Sequence, residues 1–244
     1  MAGRPLPTGS SASPPVPAAE PKLRLATAAP SLELRGVKKR WGAQTVLDAV
    51  DLRIEPGTAV HVSGRNGTGK TTLLRIAVGL IRADSGSVAL DGLDPVRDRL
   101  AYQRRLGFLS AGDRGLYARL SVRDHLRMWT RLAFVPRAST REVIERALEL
   151  FELGDLAGRR VERLSMGQRQ RVRLAGVFLH DPGIVMLDEP RTSLDEDGIR
   201  LLVSLLDDFR HQGGAVVWCC PTGERTELDF DDAYVLEAGR LRSR

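Results

Sequence analysis

Lysine is nearly absent from this 244-residue chain. Lys22, Lys38, Lys39 and Lys70 are the only ones among 37 lysines and arginines. The formal net charge of +6 therefore rests on arginine. A basic balance raises nucleic acid or an anionic membrane surface as partners. No nucleic-acid-reading motif accompanies it, so arginine-rich solvated faces are the plainer reading and no nucleic-acid partner is expected. Cysteine is scarcer still. Cys219 and Cys220 are adjacent, a spacing that rarely reaches disulfide geometry, and a strand would point them to opposite faces. That excludes a disulfide framework and predicts a reduced, cytoplasmic chain. No apolar run approaches the roughly 18 residues needed to cross a bilayer, so the chain itself is not expected to span one.

A hydrophobic fraction of 42% with mixed charge fits a soluble globular chain long enough to bury a core. Residues 1–30 contain "PTGSSASPPVPAAEP", without the basic start and apolar core of a secretory signal. A disordered tail rich in Pro, Ala and Ser is expected over 1–30 and a folded domain over 31–244.

The strongest local signal is "AVHVSGRNGTGKTTLLRIAVGL". An apolar strand from Ala59 to Val62 runs into Gly64, Arg65, Asn66, Gly67, Thr68, Gly69, Lys70 and Thr71. Apolar residues at helical spacing follow. This is G-x-x-x-x-G-K-[ST] between a strand and a helix. Glycines let backbone N–H groups turn toward phosphates, and a helix N-terminus adds a favourable dipole. Lys70 reaches the outer phosphates in such a cradle, and the Thr71 hydroxyl suits Mg2+. His61, alternating with Val60 and Val62, reads as a satisfied core or interface histidine.

A second cluster lies in "DPGIVMLDEPRTSLDEDG". The apolar strand Ile184 to Leu187 ends in Asp188 and Glu189. After a phosphate loop, a carboxylate at such a tip suits Mg2+ held through water, and its neighbour suits polarisation of an attacking water. An ordinary turn would also accept Asp-Glu-Pro. Upstream, Ser165 in "LSMGQRQRVRLAGVFL" suits an N-cap.

Together these motifs resemble the ATP-binding subunit of ABC transporters, from about Leu32 to Leu241. The family's phosphate loop is matched by Gly64 to Thr72, so Thr72 joins the nucleotide-binding set. Its signature, usually Leu-Ser-Gly-Gly-Gln, is matched by Leu164, Ser165, Met166, Gly167 and Gln168, with Met in place of a glycine. The resemblance implies Asp188 as the magnesium carboxylate and Glu189 as the catalytic one. It places Asp195, in Ser193-Leu194-Asp195, in the loop that meets a partner subunit. It also puts Trp41 where an aromatic ring stacks on adenine, although a tryptophan in isolation would more often be core.

Two positions depart from the family pattern. The usual Gln after the strand like "RRLGFLS" is replaced by Ser110-Ala111-Gly112. There Asp113 could approach the metal, although a solvated turn residue is the plainer reading. The strand "AVVWCCPTGE" carries Cys220 or Pro221 where the family has a switch histidine. Neither donates a strong hydrogen bond, and proline has no backbone N–H.

The implied fold is α/β: a P-loop NTPase with a parallel-sheet core, an N-terminal antiparallel β region and a helical subdomain over about 112–163. Within the last, Ser121-x-x-Asp124 and Ser139-x-x-Glu142 read as capping boxes, and Arg141 to Leu153, closed by Gly154, as an amphipathic helix. The implied activity is ATP hydrolysis with Mg2+, driving transport through an integral membrane partner. A second ATP-binding subunit, identical or paralogous, would complete the site. The chain would attach peripherally to the inner face of the membrane through that partner, its groove near Ser110 to Trp129. A different reading is a silent ATP-binding switch, the degenerate half of a heterodimer. The absent His and Gln favour that reading; Glu189 opposes it.

Overall fold

The computed structural model describes residues 32–112, 115–224 and 226–244. The tail expected over 1–30 and Asp113 lie outside them. In chain order, β1 (Leu32–Trp41), β2 (Gln44–Ile54) and β3 (Ala59–Gly64) precede α1 (Lys70–Ala77), β4 (Ser85–Leu90), α2 (Arg99–Arg104) and β5 (Leu106–Leu109). Then come α3 (Val122–Leu132), α4 (Thr140–Leu150), α5 (Met166–Phe178), β6 (Ile184–Asp188), α6 (Glu196–His211), β7 (Ala215–Pro221), β8 (Asp232–Glu237) and β9 (Arg240–Ser243). Two short 3-10 turns lie between α4 and α5.

The strands form two sheets. One is antiparallel, in the order β2-β1-β4; the other runs β5-β6-β7-β3-β8-β9 and is parallel except for β9. Parallel strands are covered on both faces, which is why they read as unbroken apolar runs. In β7, Ala215, Val217 and Cys219 join the apolar layer shared with α1 and the antiparallel sheet. Val216, Trp218 and Cys220 face the layer built from α3 to α6. The two cysteines therefore point to opposite faces and are both free. Among the described residues no helix is long and apolar enough to cross a membrane.

Helix ends follow the sequence in part. Ser165 accepts from the Gln168 N–H and Gln168 Oε1 accepts from the Ser165 N–H, a complete capping box on α5. Ser121 accepts from the Asp124 N–H, but its hydroxyl meets the Asp124 carboxylate directly at 2.6 Å instead of closing the box through the backbone. Ser139 does not cap: its backbone is already helical (φ −91°, ψ −11°) and its side chain makes no cap bond. The next helix also stops before Leu153. Glu152, at φ 51°, breaks it in the left-handed region, and Gly154 opens a 3-10 turn.

His125 pins the start of the helical segment. It is fully buried on α3, with Nε2 accepting the Tyr117 N–H at 2.7 Å and Nδ1 donating to the Ser121 carbonyl at 3.2 Å. Only a neutral ring serves both bonds. Burial holds its pKa below the usual histidine value, against smaller opposing pulls from Ser121 and Asp124. A depressed folded pKa gives stability that is complete above the unfolded value, about 6.5, and lost as pH falls through the folded one. The denaturant midpoint should therefore hold steady above about pH 6.5 and fall below it. His125→Phe should cost about 1–3 kcal/mol at neutral pH by stripping the Tyr117 N–H of its partner. It should also shrink the acid decline, leaving the share of His61 and His180, which burial likewise holds low.

Candidate functional site

The carboxyl ends of three neighbouring parallel strands converge. Gly64 at the end of β3 pairs with Pro221 of β7, and Cys219 of β7 pairs with Asp188 of β6. Such a row of strand ends is where open α/β sheets hold ligands. The loop leaving β3 turns through Gly67 at φ 81° and Gly69 at φ 108°, conformations costly to residues with a Cβ. Lys70, 5% exposed, folds back into this loop, its Nζ donating to the carbonyls of Gly64 at 2.7 Å and Arg65 at 3.1 Å. Thr68 ties the same turn, its hydroxyl donating to the Arg65 carbonyl at 2.9 Å.

One residue along, the Thr71 hydroxyl donates to Asp188 Oδ2 at 2.7 Å. Asp188 is 1% exposed, and its other oxygen, Oδ1, is buried with no hydrogen-bond partner. A buried carboxylate oxygen without a donor, beside a hydroxyl at a phosphate-type loop, has the chemistry of a hard-cation site. Glu189 follows at φ 52°, its N–H donating to the Cys219 carbonyl at 2.8 Å. A cavity of about 360 Å3 beside these strand ends is lined by Trp41, Asn66, Gly67, Gly69, Lys70, Thr71, Thr72 and Glu189 among others. Trp41 is 52% exposed with the Lys39 ammonium 4.9 Å from its ring centre, so it is a rim residue and not core.

A profile of the family described as "ABC transporter" matches residues 47–192. The chain belongs to the ABC transporter family. Among its relatives, the ABC transporter ATP-binding protein NatA of Bacillus subtilis (strain 168) is 31% identical over 192 residues, covering 79% of this chain and 78% of that protein. The daunorubicin resistance ATP-binding protein DrrA3 of Streptomyces coeruleorubidus is 33% identical over 211 residues, covering 86% of this chain and 66% of that one. A solved ATP-binding subunit of an ABC transporter superposes with a TM-score of 0.77 at 25% identity, over 87% of this chain and 89% of that chain.

The residues matching the ABC signature do not line this cavity. Ser165, Met166, Gly167 and Gln168 open α5, where Met166 borders a separate hollow of about 190 Å3 with Gly112, Thr192 and Ser193. A Cβ on Gly167 would come within 3.0 Å of the Ser193 carbonyl, so the signature lies against the segment leading to Asp195. Asp195 itself caps α6, accepting the Gly198 N–H at 2.8 Å.

Three features of the site were not visible in the sequence. The Cys220 thiol lies 3.0 Å from His61 Nε2, and Phe230 stacks on the imidazole. Burial, with the Glu224 charge adding to it, pushes the thiol up to about 12, so it stays protonated and bonds to a neutral ring. Glu224, three residues past Pro221, has a carboxyl that burial raises above the usual range; Arg191 pulls it back and Glu189 pushes the same way as burial. Finally, Arg173, on a helix that reads in the sequence as N-capped and basic, is 7% exposed, its guanidinium donating to the Ser110 carbonyl at 2.5 Å and also to that of Gly112.

The two loop glycines separate backbone strain from packing. A Cβ on Gly69 would lie 2.6 Å from Val46 Cγ1, whereas one on Gly67 meets nothing within 4 Å. Gly69→Ala should therefore lower stability by about 1–3 kcal/mol from its dihedral and further from the Val46 collision. Gly67→Ala should cost less, and equal shifts in the denaturant midpoint would contradict this packing.

Proposed function

We propose that this chain is an ATP-binding and ATP-hydrolysing subunit that drives transport through a separate membrane-spanning partner. One observation carries the reading: Thr71, which lines the cavity with Lys70 and Glu189, is bonded to Asp188, whose other oxygen is buried without a hydrogen-bond partner. The backbone N–H groups of Gly67 to Thr72 would cradle the phosphates, with Lys70 released from its carbonyls to meet the outer ones. Thr71 and Asp188, through water, would hold Mg2+. When bound, that ion supplies positive charge against the charge developing on the transferred phosphoryl group. Glu189 would polarise the water that attacks the γ-phosphorus as the bond to ADP breaks.

The indole of Trp41, exposed on the rim, suits stacking on adenine. The separation of the signature from this cavity supports a two-subunit site. Ser165 to Gln168 of a second copy or paralogue would close over the nucleotide with the helix N-terminus toward its γ-phosphate. Asp195 would lie in the loop between the subunits.

A second surface suits the membrane partner. A cavity of about 400 Å3 is lined by Leu100, Phe108, Ser110, Trp129, Leu132, Phe134 and Arg173 among others. Leu100, Leu132 and Phe134 are all exposed there. An apolar groove with a few polar groups suits an amphipathic element of a partner chain, which would hold this subunit on the cytoplasmic face.

The tip of β7 favours the second reading, a nucleotide-binding switch with little turnover. Cys220 is engaged by His61, and Pro221 offers no N–H toward the site. Glu189→Gln separates the two. In an ATPase it should lower phosphate release about 100-fold or more while leaving ATP binding intact and accumulating an ATP-bound dimer on gel filtration. Wild type and variant with indistinguishable rates, alone and with co-purified membrane partner, would leave only the switch. Trp41→Ala should weaken ATP more than inorganic triphosphate in fluorescence titrations, and equal weakening would remove the stacking role.

A further inference from the structure

The structure assigns Gln170 and Arg173 as a pair of positioning residues that tie the Glu189 segment to the groove, so that occupancy of one is felt at the other. This inference rests on reading the cavity as the nucleotide site. Both side chains are buried on α5, at 5% and 7% exposure. Gln170 Nε2 donates to the Pro190 carbonyl at 3.0 Å, one residue past Glu189. Gln170 Oε1 accepts from Arg173 Nη1 at 2.7 Å. The same guanidinium donates to the carbonyls of Ser110 and Gly112, and its Nη2 lies 3.5 Å from the Ser110 hydroxyl. An unbroken set of hydrogen bonds thus runs from the Pro190–Arg191 peptide, next to Glu189, to the Ser110–Gly112 loop.

Ser110 of that loop and Arg173 both border the groove. One turn further along the same face of α5, Gly176 leaves room for Trp129: a Cβ there would lie 2.6 Å from Trp129 Cε3. Trp129 is therefore seated on the helix that holds the relay, and it lines the groove as well.

The chemistry suits transmission. A planar guanidinium fixes two carbonyls and an amide oxygen at once, so the loop cannot shift without turning the fork or breaking a charge-assisted bond. In a buried network each lost bond leaves an unpaired polar group, which favours two discrete arrangements over gradual drift. Nucleotide at Glu189 and an occupant of the groove would each favour one arrangement, and the coupling is reciprocal for binding. Arg173 also bonds the segment where the family's Gln is replaced by Ser110-Ala111-Gly112.

The test uses the full chain labelled with 5-fluorotryptophan, its three 19F signals assigned by single Trp→Phe variants. Mg-ATP should shift the Trp41 signal by direct contact and the Trp129 signal through the relay. Arg173→Met and Gln170→Leu should each abolish the Trp129 shift while the Trp41 shift and ATP affinity persist. The double variant should add nothing to either single one. Gln170→Leu leaves the bonds of Arg173 to the loop in place, so it serves if Arg173→Met does not fold. A Trp41 shift with Trp129 silent in the wild type would overturn the relay, as would a Trp129 shift that survives both substitutions. No response at either tryptophan and no binding by calorimetry would instead overturn the nucleotide site itself.

Discussion

A buried lysine turned back on its own loop is the constraint on which this molecule depends. The ammonium of Lys70 gathers the carbonyls of Gly64 and Arg65. A buried charge is tolerable only with such partners. In the proposed phosphate cradle, amides of the same loop would turn toward the ligand. The rest of the fold keeps the loop in place. β3 sits between β7 and β8, the Thr71–Asp188 bond ties the start of α1 to the end of β6, and Val46 of β2 packs against Gly69. The Asp48 N–H donates to the Gly239 carbonyl at 2.7 Å, locking the antiparallel sheet to the end of the mixed one. Trp41 reaches the rim of the cavity from that sheet.

Much of this was legible because it is local. A Gly-rich loop between an apolar strand and a helix, a strand ending in Asp-Glu, and Ser165 three residues before Gln168 each carry their geometry within about ten residues. The failures are also physical. Ser139 has the spacing of a capping box but a helical backbone, so spacing alone misled. The helix α4 ends at Leu150, before Leu153, because Glu152 takes the left-handed conformation that need not be glycine's. The Cys220–His61 contact depends on the parallel register of β3 and β7, elements 159 positions apart in the chain. Arg173 was given no role from the sequence, since nothing near it in sequence announces the carbonyls of Ser110 and Gly112.

The tip of β7 is where the two functional readings part. Catalysis by a strand-tip carboxylate needs the nucleotide's terminal phosphate held still and its charge met by preorganised donors. Here the β7 end contributes a thiol committed to His61 and a proline without an N–H. Glu224, three residues past Pro221, has one oxygen buried without a hydrogen-bond partner, 3.9 Å from Arg191 Nε. This tip therefore offers the cavity no free strong donor from Cys220 or Pro221, while Thr71 and Asp188 stay hydrogen-bonded beside Glu189. In the proposed site, nucleotide binding would depend on the ends of β3 and β6, and turnover on how much the end of β7 is required.

If the Lys70 loop binds the triphosphate, titration calorimetry with ATP and Mg2+ will show it. Replacing the lysine, as Lys70→Ala, removes a charge-assisted contact of about 2–3 kcal/mol, so affinity should fall tens-fold or more with the fold intact by circular dichroism. Equal ATP affinity in the wild type and Lys70→Ala would contradict the account.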